Sequence, residues 1–254
     1  MMIRVVGLEL DRISLKEFEA QGGRNIESQL KSENYDVLLL PEKWITDPLE
    51  AENPVVDFFL DLSRDSGSII VPGSLSLKNG EGFSNSSPVI IDGRLVSWQH
   101  KMNPYRIERE SMARGNALNI YNTKFGRISV AICYDIDFPY FAKISALNGV
   151  VLILNPSLIP AQFHREWHMY VESRALENRI SMFSVNSSEE IFGGSSIAVW
   201  PYSDWIGVRI QTIHSDGKIL RAEIDPDSFA SIRKSRAEED PGSYSLKEGS
   251  VNYF

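Results

Sequence analysis

Residues 126–140 read GRISVAICYDIDFPY. Ile128, Val130 and Ile132, with small residues between them, form the short β-branched run of a strand. The run ends on Cys133, the only cysteine of the 254 residues, followed by Tyr134 and Asp135. Two other segments share this design. Val37-Leu38-Leu39-Leu40-Pro41 delivers Glu42, and Leu95 to His100 delivers Lys101. In an open α/β sheet, groups just past strand ends line the ligand crevice. Taken singly, a cysteine after a buried strand is an inert small hydrophobe, and Glu42 or Lys101 is an ordinary solvated charge. A thiol, a carboxylate and an ammonium delivered by one repeated device point to thiol chemistry.

Working outward, further β-branched runs occur at 3–10, 68–71, 89–91, 150–154, 182–185, 197–200, 208–213 and 219–224. Helical spacing occupies 25–34, 54–65, 139–147 and 163–178. In the last of these, Phe163, Trp167, Tyr170, Val171 and Arg174 share a face. Asp92-Gly93 and Asp216-Gly217 each predict a hairpin between flanking strands. Strands mixed with helices and hairpins define an α/β layered fold with parallel and antiparallel pairing. No linker, repeat or low-complexity stretch divides the chain, so residues 1–254 are expected to form one domain. Residues 99–116, charged and without clear period, read as a long functional loop, and 236–254 as a C-terminal arm.

Composition narrows the function. Lys plus Arg number 26 against 34 Asp plus Glu, a net charge of -8, which disfavours nucleic acid and anionic membranes as partners. A single cysteine permits neither an intramolecular disulfide nor a cysteine-based zinc site, and fits a reducing compartment. The start, MMIRVVGLELDR, lacks the apolar core of a secretory signal, and no apolar run is long enough to span a membrane. The expected location is the cytoplasm.

The motifs together resemble the carbon-nitrogen hydrolase superfamily, the nitrilase-like amidases. The matching pieces are Leu40-Pro41-Glu42; Asp92-Gly93 leading to His100-Lys101-Met102; Gly126-Arg127-Ile128 with Ile132-Cys133-Tyr134-Asp135 and Phe138-Pro139; Trp167 with Arg174-Ala175-Leu176-Glu177-Asn178; and Gly194-Ser195-Ser196 with Pro201. They run from about residue 3 to residue 225 in the family's order. The resemblance implies a four-layer αββα sandwich and a catalytic set of Glu42, Lys101 and Cys133. It also implies a second glutamate in the loop after the lysine, for which Glu110 is favoured over Glu108. No cofactor or metal is implied. A homodimer or larger assembly is, built through helical faces and the C-terminal arm.

The chemistry can be argued beside the resemblance. A cysteine is mostly thiol at neutral pH and needs a base or a cation beside it. Glu42 can take the proton, Lys101 can favour the negative charge, and Lys101 with the backbone N–H of Tyr134 can hold an oxyanion. The expected reaction is hydrolysis of a small amide or N-carbamoyl compound through a Cys133 thioester, with Glu42 or Glu110 activating water. A nitrilase is the alternative, and a catalytically silent binding member the alternative of another class. Asp135, Asn155, Glu166, Trp167 and Arg174 are candidates for the pocket or its support, with Arg174, Glu177 and Asn178 expected as a buried polar network. His164 and His168, four residues apart, raise a Cys-His hydrolase or a metal site as competing readings; pocket-rim or solvated imidazoles are the plainer account. The sequence departs from its relatives at Asp137, Tyr140, Glu166 and Pro201-Tyr202-Ser203, all flanking the expected pocket.

Overall fold

The computed structural model describes residues 1–80, 82–106 and 108–239. The expected C-terminal arm lies outside the described residues from position 240 onward; its first residues belong to the helix Ala230–Glu238.

Seven strands come first: β1 (Ile3–Leu8), β2 (Val37–Leu39), β3 (Ile69–Val71), β4 (Leu75–Asn79), β5 (Gly82–Ile91), β6 (Arg94–His100) and β7 (Met112–Ala113). They form one sheet, in which β1, β2 and β3 run parallel and β5 pairs with β3, β4, β6 and β7. Then β8 (Ile120–Thr123), β9 (Gly126–Val130), β10 (Val150–Pro156), β11 (Ser181–Val185), β12 (Ile197–Ser203) and β13 (Val208–His214) form a second sheet in the spatial order β13-β12-β11-β10-β9-β8. The next strand, β14 (Ile219–Ile224), crosses back and pairs antiparallel with β1.

That crossing corrects one expectation. Asp92-Gly93 does close a hairpin, between β5 and β6. Asp216-Gly217 makes a turn, but its flanking strands enter different sheets. An Asp-Gly pair fixes a local chain reversal; which strand edge the next segment meets is decided by packing.

Alternate residues explain the layering. Ile3, Val5, Val37, Leu39, Ile69 and Val71 pack in one core with Val130, Leu152, Leu154, Phe183 and Val185 of the second sheet. Their neighbours Val6, Leu8, Leu38, Leu40 and Ile70 point to the other face, against Ile26 and Leu30 of the helix Gly23–Leu30 and Val55, Val56 and Phe59 of the helix Pro54–Ser66. Strands covered on both faces need apolar residues at every position, which is why they read as continuous runs. The second sheet is backed by the helices Pro139–Leu147 and His164–Asn178, through Phe141, Ala142, Trp167, Val171 and Ala175. The result is helix, sheet, sheet, helix. The sheets meet closely at Gly7, where a Cβ would stand 2.4 Å from Val185 Cγ2. Among the described residues no helix is long and apolar enough to cross a membrane.

Candidate active site

The ends of β2 and β9 come together between the sheets. After β2 the backbone N–H of Glu42 donates to Ser157 O of the second sheet at 3.1 Å, so the carboxylate is carried across the sheet interface. Glu42 and Lys101 are both buried, and Lys101 Nζ stands 2.7 Å from Glu42 Oε1. Cys133 lies beside them, its buried thiol within reach of the charges of both the Glu42 carboxylate and the Lys101 ammonium. Its φ of 43° is left-handed, unusual for a side chain with a Cβ. Such strain persists only where the surroundings fix the backbone, and it turns the thiol out of the strand's alternation.

The surroundings that fix it are visible. Asn155 Nδ2 donates to Ala131 O at 2.7 Å and Cys133 O at 3.5 Å, while Asn155 Oδ1 accepts from Ser157 and Ser184. Trp167 Nε1 donates to Ser184 Oγ at 3.1 Å. From the far side, Arg174 donates to Ile136 O at 2.9 Å and Asp137 O at 2.8 Å and pairs with Glu177, which also accepts from Asn178. Asn155, Trp167 and Arg174 therefore hold the cysteine turn from behind. Asp135 is buried and accepts the backbone N–H groups of Ile132, Met102 and Asn103, tying the turn to the segment carrying Lys101. Burial pushes its carboxyl up to about 6. Glu166 is exposed on its helix and does not line the cleft described below.

The second glutamate at the lysine is Glu108. Its Oε2 lies 2.9 Å from Lys101 Nζ and accepts the backbone N–H of Tyr105 at 2.8 Å. Glu110, favoured by the sequence, is exposed. In the single helical turn Glu108–Ser111, residues two apart point in nearly opposite directions, so only one of the two can face the lysine. Gly115 lets the far end of the loop return to the lysine. Its N–H donates to Lys101 O, and a Cβ there would lie 2.5 Å from His100 O, so the loop folds back tightly on the lysine.

Sequence reading missed two further members. Asn85 is buried on β5 and donates to Glu42 Oε1 at 2.7 Å and Glu108 Oε1 at 3.2 Å. Lys43 forms an ion pair with Glu108 Oε1. The signal for Asn85 was the run Ser84-Asn85-Ser86-Ser87, small polar residues with no apolar period, all buried.

The charges order the protonation states. Burial alone lowers the proton affinity of Lys101, but the Glu42 and Glu108 carboxylates outweigh it and hold the group above its ordinary value, as an ammonium. Burial opposes ionisation of Glu108, and Lys101 and Lys43 overcome it, pulling the carboxyl down to about 2. Burial, then Glu42, pushes the Cys133 thiol up against the pull of Lys101. At rest Cys133 is thus a thiol set beside Glu42 and Lys101.

Beside this centre lies a cleft of about 460 Å³ lined by Asn103, Pro104, Arg109, Met112, Arg114, Tyr134 and Phe138. Tyr134 meets Tyr105 and Phe138 edge to face, with centroids 4.8 and 5.3 Å away. The imidazoles of His164 and His168 are engaged elsewhere, on Phe192 O and Ser195 O. Among the described residues no cluster of three or more His, Cys, Asp or Glu could hold a metal ion.

Comparison with known proteins identifies the class. Residues 16–234 match the family Carbon-nitrogen hydrolase, and the chain belongs to it. It is similar to the omega-amidase NIT3 of Saccharomyces cerevisiae, 26% identical over 197 residues, a match covering 70% of this chain and 66% of the relative, just under two thirds of its length. The solved structure of Saccharomyces cerevisiae Nit3, described as a member of branch 10 of the nitrilase superfamily, superposes with a TM-score of 0.79 at 22% identity, covering 96% of this chain and 97% of that one. A variant of the amidase from Nesterenkonia sp. AN1, with the acetamide moiety of fluoroacetamide added covalently at its active-site cysteine, superposes with a TM-score of 0.69 at 16% identity, covering 93% and 95%. At these identities the two structures establish the nitrilase-type sandwich.

Proposed function

We propose that this chain hydrolyses the carbon-nitrogen bond of a small amide through a thioester on Cys133. The observation that carries this reading is one buried thiol placed beside a buried carboxylate that itself touches a buried ammonium. Glu42 takes the thiol proton as the Cys133 sulfur attacks the carbonyl carbon. Lys101 Nζ and the backbone N–H of Tyr134 hold the resulting oxyanion. Glu42 returns the proton to the departing nitrogen, ammonia leaves, and the acyl group stays on sulfur. Water, deprotonated by Glu42, attacks the thioester; the proton passes to the sulfur and the carboxylic acid leaves. Glu108 is a poor base for this cycle, because the two ammonium groups lower the affinity of its carboxylate for a proton.

The cleft suggests the rest of the substrate. Arg109 and Arg114 line it, each tethered through Nε to a backbone carbonyl, of Pro104 and Met102 respectively. Among the described residues neither is ion-paired to a carboxylate. Arg114 is also held through Nη2 by Asn103 Oδ1 at 3.3 Å; Arg109, held by one nitrogen, presents its remaining N–H groups as a fork for a carboxylate. An amide carrying an acid group at its other end fits, in keeping with relatives named omega-amidases.

The test is ammonia release from chain-length-matched pairs of neutral amides and dicarboxylic acid monoamides, with N-carbamoyl amino acids and nitriles alongside. The expected result is preferred turnover of the acid amides. Arg109→Gln and Arg114→Gln should each raise KM for the acid amide about tenfold, the effect of one charge-assisted contact, and leave the neutral amide unchanged. Equal losses on both would refute an acid-binding role. Turnover of nitriles with no amide turnover would replace the amidase reading with the nitrilase one.

A second copy of the chain is the proposed partner. Tyr140, Ile144, Leu147 and Met169 are exposed on the helices that back the second sheet, and apolar side chains grouped this way favour burial in an interface. Sedimentation at micromolar concentration should give at least twice the monomer mass; a monomer would contradict it.

A further inference from the structure

The loop after β2 holds one charge more than the mechanism above uses. In an extended strand Glu42 and Lys43, as neighbours, would point to opposite faces. Lys43 has a φ of 48°, and its N–H is bonded to Ser74 O. The left-handed step breaks the alternation and brings both side chains to the same centre. There the contacts form an alternating chain of four charges: Glu42 to Lys101 at 2.7 Å, Lys101 to Glu108 Oε2 at 2.9 Å, and Glu108 Oε1 to Lys43. Asn85 braces both carboxylates.

We propose that Lys43 is a positioning residue of this centre, fixing the Glu108 carboxylate so that Glu108 in turn holds Lys101 against Glu42 and the cysteine. The proposal rests on the catalytic reading given above. Without Lys43, the two carboxylates and one ammonium carry a net charge of -1 beside a nucleophile that must itself become negative. With it the four groups sum to zero, and forming the thiolate meets less repulsion. Lys43 also removes the competition for Lys101. A Glu108 with a single cationic partner would draw the ammonium toward itself and away from Glu42.

The other charges near Glu108 are accounted for. Glu42 and Cys133 face Lys101 from the ends of β2 and β9. Asp135 and the half-buried Asp137 feel the Lys101 charge from the cysteine turn. Arg109 and Glu110, on the same helical turn as Glu108, are exposed. Lys43 is thus the group besides Lys101 that neutralises Glu108 by direct contact.

Because the chain has one cysteine, the test needs no substrate: the rate of iodoacetamide alkylation against pH reports on Cys133 alone. In Lys43→Met the alkylation curve should move to higher pH by about one unit, making the reaction roughly tenfold slower at a given pH below the midpoint. Lys43→Arg should restore most of the wild-type curve. With an amide that the wild type turns over, kcat should fall about tenfold in Lys43→Met while KM changes less than twofold. Circular dichroism and Tm for each variant separate these effects from loss of fold. An alkylation curve in folded Lys43→Met that superposes on wild type would overturn the proposal. A shifted curve in a protein that turns over no amide would uphold Lys43 and refute the catalytic reading on its own.

Discussion

Replacing Cys133 by alanine abolishes turnover, with a loss of at least about 10⁴-fold, and leaves the fold intact. The size follows from the division of labour. Every bond change in the proposed cycle passes through the sulfur, and the remaining groups can stabilise an oxyanion but supply no nucleophile that forms an acyl intermediate. The fold should survive because Asn155 and Arg174 hold the turn through backbone carbonyls of residues 131–137, contacts that do not involve the thiol. Ammonia release and circular dichroism on the same preparation check both halves. Residual activity above a few per cent would remove Cys133 from the mechanism.

Glu42→Gln should lower kcat at least a hundredfold, as loss of general acid-base catalysis does. It is the cleaner of the two tests of the charged pair, because Lys101 keeps its contact with Glu108. Lys101→Ala should lose at least as much, since it removes an oxyanion donor. It also leaves Glu42 and Glu108, which share Asn85, as two buried carboxylates without the ammonium between them. Breaking a buried ion pair from one side costs about 3–5 kcal/mol. The expected signature is therefore asymmetric: near-normal Tm in Glu42→Gln, a clearly lowered Tm in Lys101→Ala. Wild-type kcat in folded Glu42→Gln would assign the proton transfers elsewhere.

Much of this was legible in residues 37–42 and 126–140. Continuous apolar runs mark strands covered on both faces, and β2 and β9 end within two residues of where those runs place them. The helix Pro139–Leu147 has the bounds its spacing predicts. What the pattern could not carry was whatever depends on a left-handed residue or a partner distant in sequence. Lys43 carries no signal in the sequence, because strand alternation would send it away from Glu42 and only its φ reverses that. The choice of Glu108 over Glu110 turns on the orientation of one helical turn, in which Glu108 meets Lys101, Lys43 and the Tyr105 N–H. Asn85 sits in a strand whose buried face is polar, so hydrophobic periodicity stops short of it at Val89. The destination of β14 is likewise fixed by the sheet edge it meets rather than by the Asp-Gly turn before it.

The central claim is that an acyl group rests on Cys133 between two half-reactions, and partitioning tests it directly. With hydroxylamine present, an acyl-enzyme divides between acid and hydroxamate in a ratio that no longer depends on the leaving group. A primary amide that the enzyme turns over and the methyl ester of the same acid should give the same ratio of hydroxamate to acid at each hydroxylamine concentration. Ratios that differ between amide and ester, or turnover of both with no hydroxamate, would contradict a common thioester.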